Sequence, residues 1–485
     1  MPLHLNLNIQ TDRAYKLASH ITETASMAIL TLAGYLSSFV LSFTTIRLIL
    51  VFILLPLYLY KFLLSLLPAT IKNSIHLLVG PSGWSRLIKH TETYRNKSDT
   101  LAQAQLDGSY RFKPEEVFSI ARNSRGWMET APWANETEEF EVCGAKVRYI
   151  HLHASYSSVL QDGKREHRPI VFLHGNPSWS YAWRNVFPSL LNRGHDVYTI
   201  DWLGHGRSDK ILQQEVITPE LHIHTLVKFF EVTGLRNAIV AAHDWGGCIA
   251  LCTIPRLPAE TVDKLFLLNT FFPPRLSDSS LHYRLLNRIW YCTTGLLGGY
   301  LPESMIHRIL EPSLSKADMH AFAAPYADVP RSAKSSITRF SHSVPSLPRF
   351  VLFQLRQTRA WKLIEGLTGP ANWDSLTTQA RLSAQGDQVR RYWGAKDAVD
   401  KGCEIAVVFG DKDPLIRDYK AVLTRAIHPD RMVAWAPRGM WIMNAGHLPM
   451  EGKAGEVAGL IASYIVTLYG MRYALAAIRT CGLFI

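Results

Sequence analysis

The stretch Asn237-Ala-Ile-Val-Ala-Ala-His-Asp-Trp-Gly-Gly-Cys-Ile-Ala250 decides how the rest of the chain is read. A run of branched and small apolar residues stops at Ala242, and a helix-compatible segment opens after Gly247. One acid, Asp244, stands between them, with Ala242 and Gly246 two positions to either side. Small residues at those spacings let a strand turn sharply into a helix and hold the middle side chain clear of the sheet in a strained conformation. The helix N-terminus beside the carboxylate favours its anionic form. The plainer alternative is an ordinary strand-to-helix turn with an N-capping Asp.

Outward from this stretch, strands and helices alternate. Glu139-Phe-Glu-Val-Cys-Gly-Ala-Lys-Val-Arg-Tyr-Ile-His-Leu reads as a hairpin around Gly144. Strands are expected at 169–174, 196–201, 237–242 and 264–269, and helices at 181–191, 219–232 and 247–254. That alternation predicts a mostly parallel sheet flanked by helices. Strand pattern is lost from about Phe271 to Asp400, a helical interval expected to form a cap over the carboxyl ends of the strands. It resumes at Glu404-Ile-Ala-Val-Val-Phe-Gly410, and Glu451–Leu468 closes the core as a helix. The expected organisation is an N-terminal region (1–97), a connector (98–137), a core in two parts (138–270 and 401–468) around the cap (271–400), and an apolar tail (469–485).

Between Ser26 and Leu67 the chain is almost uniformly apolar, broken only by Arg47 and Lys61. A spanning helix needs about 20 such residues, so one span near Leu48–Leu67, or two short ones meeting near Arg47, is expected. Lys72, Arg86, Lys89, Arg95 and Lys97 follow it, whereas only Arg13 and Lys16 precede it, which predicts the catalytic portion on the cytoplasmic side. A buried apolar hairpin is the alternative. The net charge of +12 is spread along the chain without a basic, aromatic-interleaved stripe, which argues against nucleic acid and fits attraction to anionic lipid. The six cysteines show neither metal-ligand nor disulfide-framework spacing, so reduced thiols are expected, with Cys248 and Cys252 packing in the core. The spacing of candidate ligands predicts no metal.

Three further segments stand at strand ends: His174-Gly-Asn-Pro-Ser-Trp-Ser180, Gly410-Asp-Lys-Asp-Pro414 and Ala445-Gly-His-Leu-Pro449. In the first, Gly175 allows close backbone approach, and Asn176 can face a site with its backbone N–H and its amide. In the second, Asp413 is the better acid and Asp411 the fallback. In the third, His447 follows the acid in chain order. Each alone also reads as an ordinary loop.

Together these segments make residues 138–468 resemble the α/β-hydrolase superfamily and, within it, the haloalkane dehalogenases. Carrying the resemblance are His174-Gly-Asn-Pro-Ser-Trp-Ser-Tyr-Ala-Trp-Arg, Asp201-Trp-Leu-Gly-His-Gly-Arg-Ser-Asp-Lys, His243-Asp-Trp-Gly-Gly, Met319-His-Ala-Phe-Ala-Ala-Pro-Tyr-Ala-Asp and Arg339-Phe-Ser-His-Ser-Val-Pro. The elbow holds Asp where esterases hold Ser. The resemblance implies an α/β-hydrolase fold with an inserted helical cap, acting on a small apolar substrate and water without a cofactor; the transmembrane helical segment expected before it is read from hydropathy and has no counterpart in the family's usual soluble enzymes. It implies Asp244 as nucleophile, His447 as base for water and Asp413 as its acid. Asn176 and Trp245 would bind the leaving halide and form the oxyanion site, and Trp290 of the cap would complete the halide site. Asn269, at the alternative acid position, is an amide and cannot be the anionic partner. His243 and His205 are expected to be structural, and Arg207, Ser208 and Asp209 to be turn and capping residues. The stretch around 350–385 and the segment Gly439-Met-Trp-Ile-Met-Asn depart from the family pattern. Membrane lipid is an expected partner through the N-terminal segment, and the oligomeric state is not legible. An epoxide hydrolase would use the same three residues with two of the tyrosines 283, 291, 300 and 326 on the epoxide oxygen. A non-catalytic membrane-tethered binding protein is the third reading.

Overall fold

Branched and aromatic runs become eight strands of one sheet in the computed structural model, which describes residues 44–77, 82–120, 136–154, 168–275, 278, 280–344, 355–356, 358–396, 403–434 and 436–465. The apolar stretch 26–43 and the tail 469–485 lie outside the described residues. The strands are β1 (Thr137–Val142), β2 (Ala145–Leu152), β3 (Ile170–Leu173), β4 (Val197–Ile200), β5 (Ala238–Asp244), β6 (Val262–Thr270), β7 (Glu404–Gly410) and β8 (Met440–Ile442). Their order is β8-β7-β6-β5-β3-β4-β2-β1. Every neighbouring pair from β8 to β4 is parallel, and β2 and β1 are antiparallel additions. The chain steps from β3 to β4 on one side and returns to β5 on the other. The crevice beyond the carboxyl ends of β3 and β5 is therefore a topological switch point, where open α/β sheets bind ligands.

Both faces are covered, which explains the continuous apolar runs of the central strands. Val171, Leu173, Val240, Ala242, Val407 and Phe409 enter one core. Their alternates Ile170, Phe172, Ile239, Ala241, Ala406 and Val408 enter the other. Helix ends follow local chemistry. In α3 (Pro219–Thr233), the Thr218 hydroxyl accepts the N–H of Leu221 at 3.2 Å, Pro219 fills the first turn, and Gly234 closes the helix at φ 63°. Helix α4 (Trp245–Thr253) leaves β5 directly. The closing helix starts at Pro449, breaks at Lys453 and resumes over Ala454–Ile465. Residues 181–191, expected as one helix, form a 3-10 turn at Ser180–Trp183 and a short helix at Phe187–Leu191. The segment after Gly439 is not a loose loop, because Met440–Ile442 pairs with β7 as an edge strand. Cys248 and Cys252 are buried free thiols in the first core.

The interval between β6 and β7 is helical, as expected: α5 (Leu281–Leu297), α6 (Glu303–Leu310), α7 (Lys316–Ala323), α8 (Ser335–Ser343), α9 (Arg359–Thr368) and α10 (Asp374–Gly394). Core and cap meet at Arg184. Its guanidinium bonds both oxygens of Glu451 (2.6 and 2.9 Å) and Asp318 of α7 (2.6 Å), and stacks over the Tyr181 ring at 3.9 Å. Arg207 is more than a turn residue. It is fully buried, its N–H bonds Asp201 at 2.9 Å, and its guanidinium reaches the Thr137 hydroxyl at 2.5 Å.

Two long helices precede the core, α1 (Thr44–Leu77) and α2 (Ser82–Leu106), and the boundary expected at 97/98 falls inside α2. Leu48–Ile75 is long and apolar enough to cross a membrane by length and composition. The stretch expected as an insertion supplies α9, which packs on both. Arg95 of α2 pairs with Glu365 at 2.7 Å, and the Thr91 hydroxyl bonds the Lys362 carbonyl at 3.2 Å.

At the elbow a Cβ on Gly246 would come within 2.6 Å of the His174 carbonyl and 2.7 Å of the Leu173 carbonyl, both rigid backbone. Gly246→Ala is expected to destabilise the fold by about 1–3 kcal/mol, read as a lower denaturation midpoint. Gly459→Ala, with nothing within 4 Å of the added carbon, is expected to be neutral or stabilising by up to about 1 kcal/mol.

Candidate active site

The last residue of β5 carries the strain expected of a sharp bend: Asp244 has φ 51° and ψ −124°. Its carbonyl accepts the Thr270 hydroxyl at 2.6 Å. A Cβ on Gly175 would lie 2.4 Å from Asp244 Oδ1, so only glycine lets the β3 loop approach the carboxylate. That approach brings the Asn176 N–H to Oδ1 at 2.9 Å, and the Trp245 N–H also donates to the carboxylate.

The second oxygen, Oδ2, faces His447 Nε2 at 3.7 Å. The other ring nitrogen, Nδ1, lies 3.0 Å from Asp413 Oδ2. Asp413 is tied on all sides. Its Oδ1 accepts the N–H groups of Leu415 (2.7 Å) and Ile416 (3.1 Å), and its Oδ2 accepts the Asn269 amide (2.7 Å). Asn269 in turn accepts the Gly410 N–H at 2.9 Å and donates to the Gly446 carbonyl at 3.1 Å. It thereby joins the acid loop to the histidine loop. As an amide Asn269 cannot be the anion, and a donor to the neighbouring acid carries no sequence motif of its own. The fallback acid, Asp411, instead accepts the Ala445 N–H at 3.2 Å.

All three groups are buried. Burial pushes the Asp244 carboxyl up, opposed by His447 and the two N–H donors. Burial also acts against the charge of Asp413, but His447 and the loop N–H groups outweigh it and hold the carboxyl below its ordinary value. For His447, burial opposes the imidazolium, yet Asp413 with its hydrogen bond, and then Asp244, outweigh it and raise the group. Neighbouring imidazoles move the opposite way, by burial above all: His174 to about 4, His222 and His243 to about 3. His447 alone among these four is poised to gain a proton. His243 stays neutral and bonds the His447 carbonyl at 2.8 Å, fixing that loop.

The walls are aromatic. The Trp245 indole packs edge-on to Phe271 (5.1 Å) and tilted against Phe340 of α8 (4.8 Å). The Asn176 amide bonds the Ile337 carbonyl of α8 at 3.1 Å, while its oxygen meets His205 Nε2 at 3.0 Å. Because a carbonyl only accepts, the amide must turn N–H toward Ile337, and His205 must carry its proton on Nε2. One amide hydrogen of Asn176 is left unassigned by these bonds. His205, expected as purely structural, thus orients a site residue. Trp290 is half-buried on α5 beside the second core group, and no ring contact joins it to Trp245 among the described residues.

Three of the four cap tyrosines have hydroxyl partners elsewhere. Tyr291 meets Tyr58, Tyr300 meets Arg331, and Tyr326 bonds the Gly204 carbonyl at 3.0 Å. One group of described residues has metal-ligand geometry: His151, His153 and Asp196, with ligand atoms within 4.8 Å of one another. It lies at the amino end of β4, opposite the end of the sheet that carries Asp244, and the His-x-His alternation on β2 was its only sequence signal. Two open clefts, of about 430 and 710 Å³, include none of the residues around Asp244.

Residues 168–290 match the α/β-hydrolase fold family model. The chain is 31% identical over 310 residues to a haloalkane dehalogenase of Psychrobacter cryohalolentis, covering 63% of this chain and 86% of that protein. It is 29% identical over 317 residues to a haloalkane dehalogenase of Mycobacterium marinum, covering 65% and 89%. Among solved structures, the tetrameric haloalkane dehalogenase of Paraglaciecola agarilytica superposes with a TM-score of 0.51 at 20% identity, over 72% of this chain and 98% of that one, a likeness of fold.

Two carboxylates hold the proton on His447, and only one of them is also the residue at the elbow. In Asp244→Asn, the imidazole loses the more distant of its two carboxylate charges, the one across 3.7 Å, and its pKa, measured by NMR titration of labelled histidine, is expected to fall below the wild-type value. An unchanged titration would mean the two groups do not interact.

Proposed function

The chain belongs to the haloalkane dehalogenase family of the α/β-hydrolase superfamily, and from that premise we propose that it hydrolyses carbon–halogen bonds of small apolar substrates through an alkyl ester on Asp244. The observation that carries this reading is the division of labour between the two Asp244 oxygens. Oδ1 is held by backbone N–H, and Oδ2 faces His447 without touching it. Oδ2 attacks the carbon in line, and the carbon–halogen bond breaks with its electron pair leaving on the halide. The departing anion needs donors in a water-poor pocket. The Trp245 indole N–H and the remaining amide hydrogen of Asn176 are the groups proposed for it.

Esterification removes the Asp244 charge, one of the two attractions that keep a proton on His447. The imidazole pKa then falls, so more of it is in the neutral form that the next step needs. Water in the gap gives a proton to Nε2 and attacks the ester carbonyl. The oxyanion forms on Oδ1, which already accepts the Asn176 N–H, with the Trp245 N–H the second donor proposed for it. Asp413 steadies the imidazolium, whose proton passes to the alkoxide as the tetrahedral species collapses, and loss of the remaining proton to solvent restores the Asp244 carboxylate beside neutral His447. Neutral His447 is required, so turnover is expected to decline on the acid side. In free enzyme that limb sits above the ordinary histidine value, since the group is raised. Removing the Asp244 charge moves it down. No step in this scheme calls on a metal or an organic cofactor.

Epoxide opening would need two hydroxyls on the epoxide oxygen. The partners of Tyr291, Tyr300 and Tyr326 favour the dehalogenase reading over it. We also infer that the protein associates with a membrane through α1, with its catalytic part on the cytoplasmic face, on the strength of the apolar length of Leu48–Ile75 and the basic flank that follows.

Asp244→Asn is expected to abolish halide release from 1-bromobutane. His447→Gln is expected to retain alkylation but to slow ester hydrolysis by roughly 10²–10⁴-fold, so that a butyl adduct accumulates on the protein by mass spectrometry. Absence of an adduct, or faster diol formation from styrene oxide than halide release in a parallel assay, would overturn this reading.

A further inference from the structure

One face of α1 is already occupied. Tyr58, Phe62, Leu66, Thr70 and Asn73 recur every three or four residues and so share one side of the helix. Tyr58 meets Tyr291 of α5 edge-on at 5.5 Å, and Phe62 meets Trp373 at 5.2 Å. Leu66 is buried. The Asn73 amide donates to the carbonyls of Gly366 (2.9 Å) and Leu367 (3.0 Å) near the end of α9. Lys61 does the same for α5, bonding Gly295 (2.8 Å) and Leu296 (2.7 Å), where the negative end of the helix dipole favours a cation. The cap glycines are cut to this contact, since a Cβ on Gly295 would lie 2.4 Å from the Tyr58 ring.

The opposite face is bare. Tyr60, Leu63, Leu64, Leu67, Ile71 and Ile75 are each more than half exposed. Thr44–Leu77 contains no acidic residue. Exposed Lys72 on α1, and Arg86 and Lys89 on α2, lie close by in the chain.

The docked stretch from Tyr58 to Asn73 is about 24 Å of helix, most of the ~30 Å hydrocarbon thickness. If this stretch crossed a bilayer, α5 and α9 would be carried in with it. So would the ion pairs that Glu365 makes with Arg95 (2.7 Å) and Arg356 (3.0 Å). Charges and irregular backbone are costly there. A helix lying in the surface satisfies both faces at once.

We propose that α1 from Tyr60 to Ile75 lies flat along an anionic bilayer surface, its bare stripe in the acyl boundary and the cap seated directly on its inner side. This rests on the membrane association inferred above and replaces the single span expected near Leu48–Leu67. Lipid is favoured as the occupant by charge: the stripe is apolar along its length without an acid, and the neighbouring cations Lys72, Arg86 and Lys89 complement anionic headgroups.

The test uses the full chain, in a Cys481→Ser background, with vesicles of phosphatidylcholine and phosphatidylserine. Nitroxide labels are placed singly at Tyr60→Cys, Leu64→Cys, Leu67→Cys, Ile71→Cys and Ile75→Cys, and depth is read from oxygen and nickel accessibility. The expected result is a common shallow depth of about 5–10 Å for all five. A steady change in depth on the order of 20 Å from Tyr60 to Ile75, the length of the labelled stretch, would overturn the flat orientation while leaving membrane association intact. Failure of the protein to float with vesicles would overturn both. Spin–spin broadening without lipid contact would assign the stripe to a second copy and overturn the proposal.

Discussion

A carboxylate held at a positive backbone angle, at the end of a buried strand, is the constraint on which the rest of the structure depends. Keeping Asp244 at φ 51° costs of order 1–3 kcal/mol, and it persists because three loops close on it. Gly175 and Gly246 remove the side chains that would block the β3 and β5 ends from each other, and Gly247 does the same toward Thr270. The reward of that crowding is electrostatic. Two backbone N–H groups already face the carboxylate, so negative charge there needs no rearrangement of its surroundings.

The second constraint is the placement of one proton. A cluster of buried imidazoles surrounds the switch point, and burial makes most of them poor bases and poor acids alike. His447 differs because Asp413 is anchored by three other donors and cannot turn away from it. Asn269 supplies one of those donors while binding the loops on both sides, so the acid and the histidine are positioned by the same amide. Charge on His447 then tracks charge on Asp244, and the two halves of the proposed reaction are linked through a gap rather than through a bond.

Much of this was legible in the residues. Alternation of apolar runs and helical periods located the strands, since burial on both faces leaves an unmistakable composition, and the small residues around Asp244 marked the bend. Chain order placed the acid and the histidine. What escaped was anything that depends on partners distant in sequence. Nothing local says that His205 sets the amide of Asn176, that Arg207 is buried, or that Ile337 and Phe340 of the cap roof the site. Hydropathy is silent on which side of α1 its apolar residues occupy, and Tyr58, Phe62 and Leu66 are already spent on protein contact.

Arg184 has a consequence for how far the two layers are separable. Its guanidinium takes one partner from the segment after His447, Glu451, and one from the cap, Asp318, and it is mostly enclosed. Removing one partner of an enclosed ion pair commonly costs about 3–5 kcal/mol. The cap is therefore not an interchangeable module. A chimera that imported a foreign cap would inherit an orphaned cation at the seam unless an acid arrived at the position of Asp318 with it.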